Sequence, residues 1–311
     1  MMTARLEIWA ATPTPFTPSG ELDLGPVAAQ ATHLQTDGVF GAFVGGTTGE
    51  FASLSVDERK ALAERWRDIR PEGFGFGLQV GHTELARAQE LAAHAEASGA
   101  DMIAAVAPYY GETPSVDRVT SFLADVAAAA PNTPFCFYHI PSMTGSTHRP
   151  SAIVASAVGK IPTLNAVKFT DEDLMEFDFT RRAAPSVRVF FGRDELLPAA
   201  LAFGADGVIG SLFNGLGSVA VRVHEAFTAG RTAEAFALHE PFRAIADVAG
   251  AHGGLGFIKQ LMNELSPHAG DPRLPWGPLG AEDRRAAREL AARLRPAIEE
   301  ARALLLGEVR G

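Results

Sequence analysis

One lysine lies inside a short apolar run near the middle of this 311-residue chain. The run covers residues 164–171 and is typical of a buried strand. Side chains alternate along a strand, so Ala166, Lys168 and Thr170 are expected on one face. A lysine among apolar neighbours is costly to keep charged, and its neutral amine is the nucleophile that Schiff-base chemistry requires. Taken alone, the run favours the simpler interpretation of a lysine whose head reaches solvent at the strand end, and only the rest of the chain reverses this preference.

Polar groups also follow other apolar runs. Residues 45–50 form a glycine-rich segment with two threonines that lacks the lysine and spacing of a nucleotide loop. It could hold a carboxylate with backbone N–H groups and hydroxyls, or be a tight turn. Tyr138 is either a core tyrosine or a proton shuttle near Lys168. Asp194 and Glu195 could cap a helix or receive substrate hydroxyls. Tyr109 and Tyr110, after the fourth run, could be packing aromatics or a relay, and Ser211 ends the eighth run.

The elements that must position these groups alternate between strand and helix. Eight short apolar runs are predicted as strands, at residues 9–16, 41–46, 74–81, 101–108, 134–140, 164–170, 187–192 and 207–211. Alanine-rich helical patterns separate them, for example over 55–69, 83–97 and 116–129. Glycine follows a helix before a strand at Gly38, Gly99 and Gly204, as in a left-handed helix cap. This order predicts an α/β fold, a (β/α)8 TIM barrel, with a doubly wound sheet as the alternative.

The alternation stops after about residue 229. Helices are predicted over 231–249, 254–265 and 281–306, and the middle one ends at Ser266-Pro267 before a proline-rich loop. We therefore predict a catalytic barrel over residues 1–229 and a C-terminal helical extension over 230–311. The apolar faces of the extension require a surface, either the outer wall of the barrel or a neighbouring subunit.

Composition excludes several partners. The net charge of -10 argues against nucleic acid and anionic membranes. The single cysteine, Cys136, excludes an intrachain disulfide and fits the reducing cytoplasm, and within an apolar run it is expected to be inert. No targeting or membrane-spanning stretch is visible. The nine histidines occur singly, without metal-ligand spacing, so no metal site is predicted.

Three motifs together resemble the dihydrodipicolinate synthase / N-acetylneuraminate lyase superfamily, the class I pyruvate-dependent aldolases. They are Gly-Gly-Thr-Thr-Gly-Glu at 45–50, Tyr-His-Ile-Pro-Ser-Met-Thr-Gly at 138–145 and Val-Lys-Phe-Thr-Asp-Glu-Asp-Leu at 167–174. The resemblance runs from residue 9 to about residue 217. It implies a (β/α)8 barrel with a C-terminal helical extension, usually assembled as a homotetramer from two dimers.

The resemblance also implies roles for individual residues. Lys168 would form an imine with a 2-oxo acid, with no metal or organic cofactor. Tyr138 would move the proton with Thr48 as its relay, while Thr47 and Thr48 would hold the substrate carboxylate. In many members of the superfamily, the tyrosine that matches Tyr110 reaches the relay of a neighbouring subunit.

Within the superfamily, the chain is most similar to the N-acetylneuraminate lyases. Dihydrodipicolinate synthases usually carry an arginine at the position of Met143, where this chain has an apolar residue. The lyases also resemble the chain over 191–195 and 204–214. This implies that a sugar tail is bound by four residues and by Thr170 beside them: Gly192, Asp194, Glu195 and Ser211. Carboxylates suit a neutral polyol tail and would repel an acidic one.

The implied activity is cleavage of N-acetylneuraminate to N-acetylmannosamine and pyruvate. One alternative is another member activity, with a keto-deoxy sugar acid, 4-hydroxy-2-oxoglutarate or a dihydrodipicolinate precursor as substrate. A second alternative is a barrel that binds a 2-oxo acid without catalysis. The presence of both Lys168 and Tyr138 disfavours that alternative, because a binding protein has no need of an imine.

Overall fold

Eight parallel strands close into a barrel in the order in which they occur along the chain. The computed structural model describes residues 6–307. The strands are β1 Glu7–Ala11, β2 Gly41–Val44, β3 Gly75–Gln79, β4 Met102–Val106, β5 Phe135–His139, β6 Leu164–Phe169, β7 Arg188–Phe191 and β8 Gly207–Gly210. The prediction of a (β/α)8 barrel is confirmed.

The first strand differs most from its prediction. It begins at Glu7 and ends at Ala11, whereas the apolar run predicts residues 9–16. Pro13 and Pro15 lie in the part of the run that is not strand. Because proline has no N–H to donate, this part cannot continue the ladder that a parallel neighbour on each side requires. The other seven strands lie within the predicted runs and are shorter than them by at most two residues at either end.

Helices surround the barrel. They are α1 Val27–Thr36, α2 Val56–Ile69, α3 Leu85–Ala97, α4 Val116–Ala127, α5 Pro141–Thr144, α6 Pro150–Ala157, α7 Leu174–Ala183, α8 Leu197–Ala202 and α9 Phe213–Thr228. Two short 3₁₀ turns, Phe51–Ser53 and Asp194–Leu196, precede helices. The glycines after α1, α3 and α8 have φ of 72°, 69° and 79°, which confirms the three predicted caps. No helix among residues 6–307 is long and apolar enough to cross a bilayer.

The side chains of each strand divide between two cores. On β6, Val167 and Phe169 pack between the barrel and its helices. Ala166 packs inside the barrel with Tyr138, Phe190 and other inward residues. The period-2 alternation predicted from the sequence is therefore the one found, and it directs Lys168 inward.

The C-terminal extension contains α10 Thr232–Leu238, α11 Glu240–Ala249, α12 Leu255–Leu265 and α13 Ala281–Leu306. The prediction of one helix over 231–249 is wrong, because the chain breaks at His239 and restarts with Pro241 in the first turn of α11. Helices α12 and α13 pack on α9, part of the predicted outer wall, whereas α11 contacts the 3₁₀ turn at Asp194–Leu196. The division of the chain at residue 229 stays a prediction.

Candidate active site

A cavity of about 410 Å³ lies at the carboxyl ends of the barrel strands. This is the end at which barrel enzymes place their catalytic residues. All nine residues predicted to act on or bind the substrate line it: Thr47, Thr48, Tyr138, Lys168, Thr170, Gly192, Asp194, Glu195 and Ser211. The structure thus brings the predicted set together, and the role of each residue stays a prediction.

Lys168 lies inside the barrel with only 3% of its surface exposed. It pairs in register with Tyr138 on β5 and with Phe190 on β7. Its Nζ lies 4.2 Å from the centre of the Tyr138 ring and 4.5 Å from that of Phe43. The simpler interpretation of a solvent-exposed lysine at a strand end is therefore wrong. The amine lies over these two aromatic rings and lines the cavity at the mouth of the barrel.

The phenol of Tyr138 has a different partner from the one that the resemblance implies. Its hydroxyl lies 3.1 Å from Thr47 Oγ1, whereas Thr48 Oγ1 lies 2.6 Å from Ser211 Oγ. Because the two threonines are consecutive in a turn, their side chains point in different directions. Thr47, and not Thr48, is therefore the threonine within hydrogen-bond distance of the phenol, and a relay role for either residue stays a prediction. Thr48 instead joins the ends of β2 and β8.

A buried ion pair anchors the loop that carries these threonines. Glu50 adopts a left-handed conformation with φ of 55° and accepts a hydrogen bond from Lys259 Nζ at 2.6 Å. Lys259 also donates to the carbonyl of Thr14, and burial lowers the pKa of its amine. The second carboxylate oxygen of Glu50 accepts the N–H of Arg273. Sequence patterns gave no signal for this anchor, since its two charges are 209 residues apart.

Asp194 lines the cavity from the start of the 3₁₀ turn that follows β7. Its Oδ2 accepts the N–H of Leu212 at 2.8 Å, and burial raises the pKa of the carboxyl to about 7. The packing depends on Gly210, where a Cβ would lie 1.5 Å from Asp194 Oδ1. A glycine at the end of β8 therefore makes room for a carboxyl group beside the cavity.

Thr170 and Gly192 repeat this arrangement at the ends of β6 and β7. A Cβ at Gly192 would lie 2.1 Å from Thr170 Oγ1. Within residues 6–307, neither Thr170 Oγ1 nor Asp194 Oδ1 has a hydrogen-bond partner. A buried polar atom without a partner costs about 1–3 kcal/mol. Ligand hydroxyls that reached these two atoms would recover part of that cost.

Arg193 also lines the cavity, although the sequence analysis gave it no role. Its Nη2 donates to Glu195 Oε1 at 2.8 Å and forms a second ion pair with Glu172, which follows β6. The Nε of Arg193 is buried and has no partner in the described part of the chain. Arg193 thus holds Glu195 and joins the loops after β6 and β7.

The remaining wall of the cavity comes from the helical extension. Helix α11 and the residues just after it supply one part, and the start of α12 supplies the other. The wall residues are Ile245, Ala246, Ala249, Gly250, Gly254, Leu255 and Ile258. The sequence analysis missed them because it expected the extension to cover the outer wall of the barrel or a neighbouring subunit, and not the mouth of the barrel. The apolar period of α11 predicts a buried face, and no local signal says what that face covers.

The other candidates lie outside this cavity. Tyr110 is fully exposed with φ of 81°, and Tyr109 makes an edge contact with Phe51. Met143 lines a separate apolar cavity of about 170 Å³. Cys136 is a free thiol whose burial raises its pKa to about 12, in keeping with an inert residue. Among residues 6–307, no three His, Cys, Asp or Glu side chains are grouped to hold a metal ion.

Comparison with known proteins finds the same fold and related sequences. The N-acetylneuraminate lyase of Xenopus tropicalis is 38% identical over 273 residues, which cover 86% of this chain and 88% of that protein. The solved N-acetylneuraminate lyase of Aliivibrio salmonicida is 33% identical, with a TM-score of 0.89 over 95% of this chain and 98% of that one. The Proteus mirabilis N-acetylneuraminate lyase is 31% identical, with a TM-score of 0.88 over 93% and 98%.

A scan against protein families matches residues 5–294 to the Dihydrodipicolinate synthetase family. This match covers the barrel and most of the helical extension. The curated relatives match over a similar share of the chain. The chain therefore belongs to the Dihydrodipicolinate synthetase family.

Proposed function

We propose that this chain is a Schiff-base lyase that cleaves N-acetylneuraminate to N-acetylmannosamine and pyruvate. One observation carries the proposal. A buried lysine and a tyrosine share a cavity with carboxyl and hydroxyl groups suited to a polyol, among them Asp194, Glu195 and Ser211. Relatives and structural neighbours named N-acetylneuraminate lyase support the choice of substrate.

The first half of the reaction attaches the substrate to Lys168. Its neutral amine attacks the C2 ketone to form a carbinolamine, and the carbinolamine hydroxyl leaves as water with the proton of the Tyr138 phenol, which gives a protonated imine on Nζ and a phenolate at Tyr138. The threonine hydroxyls of the 45–50 loop hold the substrate carboxylate. The phenolate of Tyr138, whose oxygen lies next to Thr47 Oγ1, then accepts the proton of the C4 hydroxyl, either directly or through that threonine.

The second half breaks the carbon–carbon bond. As the C4 hydroxyl loses its proton, the C3–C4 electron pair moves into the imine, giving an enamine on Lys168 and the aldehyde N-acetylmannosamine. Tyr138 returns a proton to C3, and water hydrolyses the imine to pyruvate and free Lys168. The imine provides the electron sink, because a free carbanion at C3 would be far too unstable.

Replacement of Lys168 by alanine tests the proposal most directly. We expect the rate of pyruvate release from N-acetylneuraminate to fall by roughly 10⁴-fold or more, because no other lysine of residues 6–307 lines the cavity. Pyruvate is measured by coupling to lactate dehydrogenase. Borohydride reduction in the presence of pyruvate should add the mass of the reduced adduct to the wild type and not to Lys168→Ala.

Two outcomes would lead to different corrections. Near-wild-type turnover by Lys168→Ala would exclude the Schiff-base mechanism. If borohydride traps the pyruvate adduct on Lys168 but no pyruvate is released from N-acetylneuraminate, the aldolase class would still hold. The substrate would then be a different one, a keto-deoxy sugar acid or 4-hydroxy-2-oxoglutarate. These acids should therefore be assayed in parallel.

We also propose that the enzyme acts without a metal or organic cofactor, in the cytoplasm, as a homotetramer. The imine mechanism supports the first statement, since it provides its own electron sink. The single buried cysteine fits a reducing compartment. Tyr110, a fully exposed aromatic residue with positive φ, is suited to insertion into a second copy. Sedimentation equilibrium would measure the assembly, and chelator treatment followed by assay would test the independence from metals.

A further inference from the structure

His239 lies at the break between α10 and α11 and is almost completely buried. Its Nε2 lies 3.0 Å from the main-chain oxygen of Asp194. Because a carbonyl oxygen can only accept, this ring nitrogen carries the proton and donates it. The imidazole stacks on Phe242 with ring centres 5.0 Å apart and planes 11° apart, which fixes the direction of the bond.

The acceptor belongs to the turn that presents the predicted sugar-binding carboxylates. Asp194 is already tied through its side chain to the N–H of Leu212, and the next residue, Glu195, is paired with Arg193. The bond from His239 holds the main chain between these two side chains. It thus connects the helical extension to the part of the cavity that Asp194 and Glu195 line.

We propose that His239 is a positioning residue for substrate selection. It fixes the Asp194–Leu196 turn so that Asp194 and Glu195 meet the hydroxyls of the sugar tail. This inference rests on the proposed function. Lys168 and Tyr138 lie on paired strands of the barrel, whose ladder holds them in register without this turn. Loss of the His239 bond should therefore weaken binding of the tail and spare the chemistry at the pyruvate end.

Two reactions separate these effects. Cleavage of N-acetylneuraminate needs the whole cavity, whereas exchange of the pyruvate methyl protons in D₂O needs only the imine and the proton shuttle. His239→Phe keeps an aromatic ring on Phe242 and removes the donor. We expect its KM for N-acetylneuraminate to rise roughly tenfold, the effect of one lost hydrogen bond, while the exchange rate changes less than about twofold. His239→Gln, whose amide N–H can reach the same carbonyl, should restore most of the affinity.

His33→Phe is the matched control. His33 Nε2 lies 2.9 Å from the main-chain oxygen of Asn214, so this variant loses the same kind of bond on α1, outside the cavity. We expect it to lower the Tm without changing the KM. Equal losses in cleavage and exchange for His239→Phe, or a wild-type KM, would overturn the inference alone. A wild-type enzyme that exchanges pyruvate protons but leaves N-acetylneuraminate intact would overturn the proposed substrate, and this inference with it.

Discussion

The two ends of the cavity are held by different kinds of structure. At the end proposed to hold pyruvate, the pyruvate end, Lys168 and Tyr138 project from neighbouring strands that are paired residue for residue. At the end proposed to hold the sugar tail, the tail end, Asp194 and Glu195 lie on a 3₁₀ turn. That turn is held by single contacts from Arg193, which directly precedes it, from Leu212 after β8 and from His239 in the helical extension.

This difference separates chemistry from selection. A residue in a closed barrel strand has its position fixed by ladder bonds on both sides, so the reacting amine and phenol are preorganised. A turn held by a few side-chain contacts can be reshaped by one or two substitutions without disturbing the barrel. Substitutions at the pyruvate end should therefore change kcat, and those at the tail end should change KM.

Tyr138→Phe should give the largest effect of the substitutions that keep the imine. The variant removes only the phenol oxygen that contacts Thr47, and positioned proton transfer contributes on the order of 10²–10⁴-fold. We expect a loss of this size in kcat for cleavage and in the rate of pyruvate proton exchange. Tyr109→Phe, which removes a phenol oxygen outside the cavity, is the matched control. Comparable losses in both variants would mean that the phenol of Tyr138 has no special role.

Asp194→Asn should make stability depend less on pH. Burial raises the pKa of Asp194 from its ordinary value of 3.8 to about 7. Between these pH values the unfolded chain releases the proton while the folded chain keeps it, so the stability contributed by the neutral carboxyl is lost as pH rises. Asparagine cannot ionise, and its oxygen can still accept the N–H of Leu212. Relative to wild type, the variant should therefore gain roughly 2–4 kcal/mol of unfolding free energy between pH 4.5 and pH 8.

Urea unfolding at the two pH values measures this difference. Asp206→Asn is the control, because Asp206 accepts a main-chain N–H from Val189 but lies exposed at the surface. A constant difference between Asp194→Asn and wild type at both pH values would show that the carboxyl titrates normally in the folded protein.

The pyruvate end was largely readable from the sequence. Period-2 alternation in residues 164–170 predicted that Lys168 and Thr170 share one face, and the order of strands and helices predicted the barrel. Both follow from local patterns. The face of Lys168 is fixed because a one-residue change of register would turn every apolar side chain of the strand to the wrong side. The partner of Tyr138 could not be read in this way, because Thr47 and Thr48 differ only in the direction that a turn gives them.

The tail end was readable only in its residue types. Asp194 and Glu195 stood out as adjacent acids after a strand, but nothing near them in the sequence indicates His239 or the wall from α11. These contacts depend on how the extension folds back over the barrel mouth. The break at His239, which the helical period did not predict, sets that path. Long-range packing of this kind overrides local propensity and leaves no periodic signal.

Arg193→Met should give the smallest effect and the sharpest separation of the two ends. Arg193 holds Glu195 and Glu172 at the rim, where partly exposed ion pairs contribute about 1 kcal/mol or less. We expect KM for N-acetylneuraminate to rise roughly two- to fivefold while the pyruvate exchange rate stays unchanged. The rise relative to wild type should be smaller at high salt, because salt screens the ion pair in the wild type. Arg222→Met is the matched control, since Arg222 also has an ion pair and an Nε without a hydrogen-bond partner in the described part of the chain, but it lies on α9 and does not line the cavity. An equal change in KM for both variants would mean that Arg193 acts only through net charge and does not position Glu195.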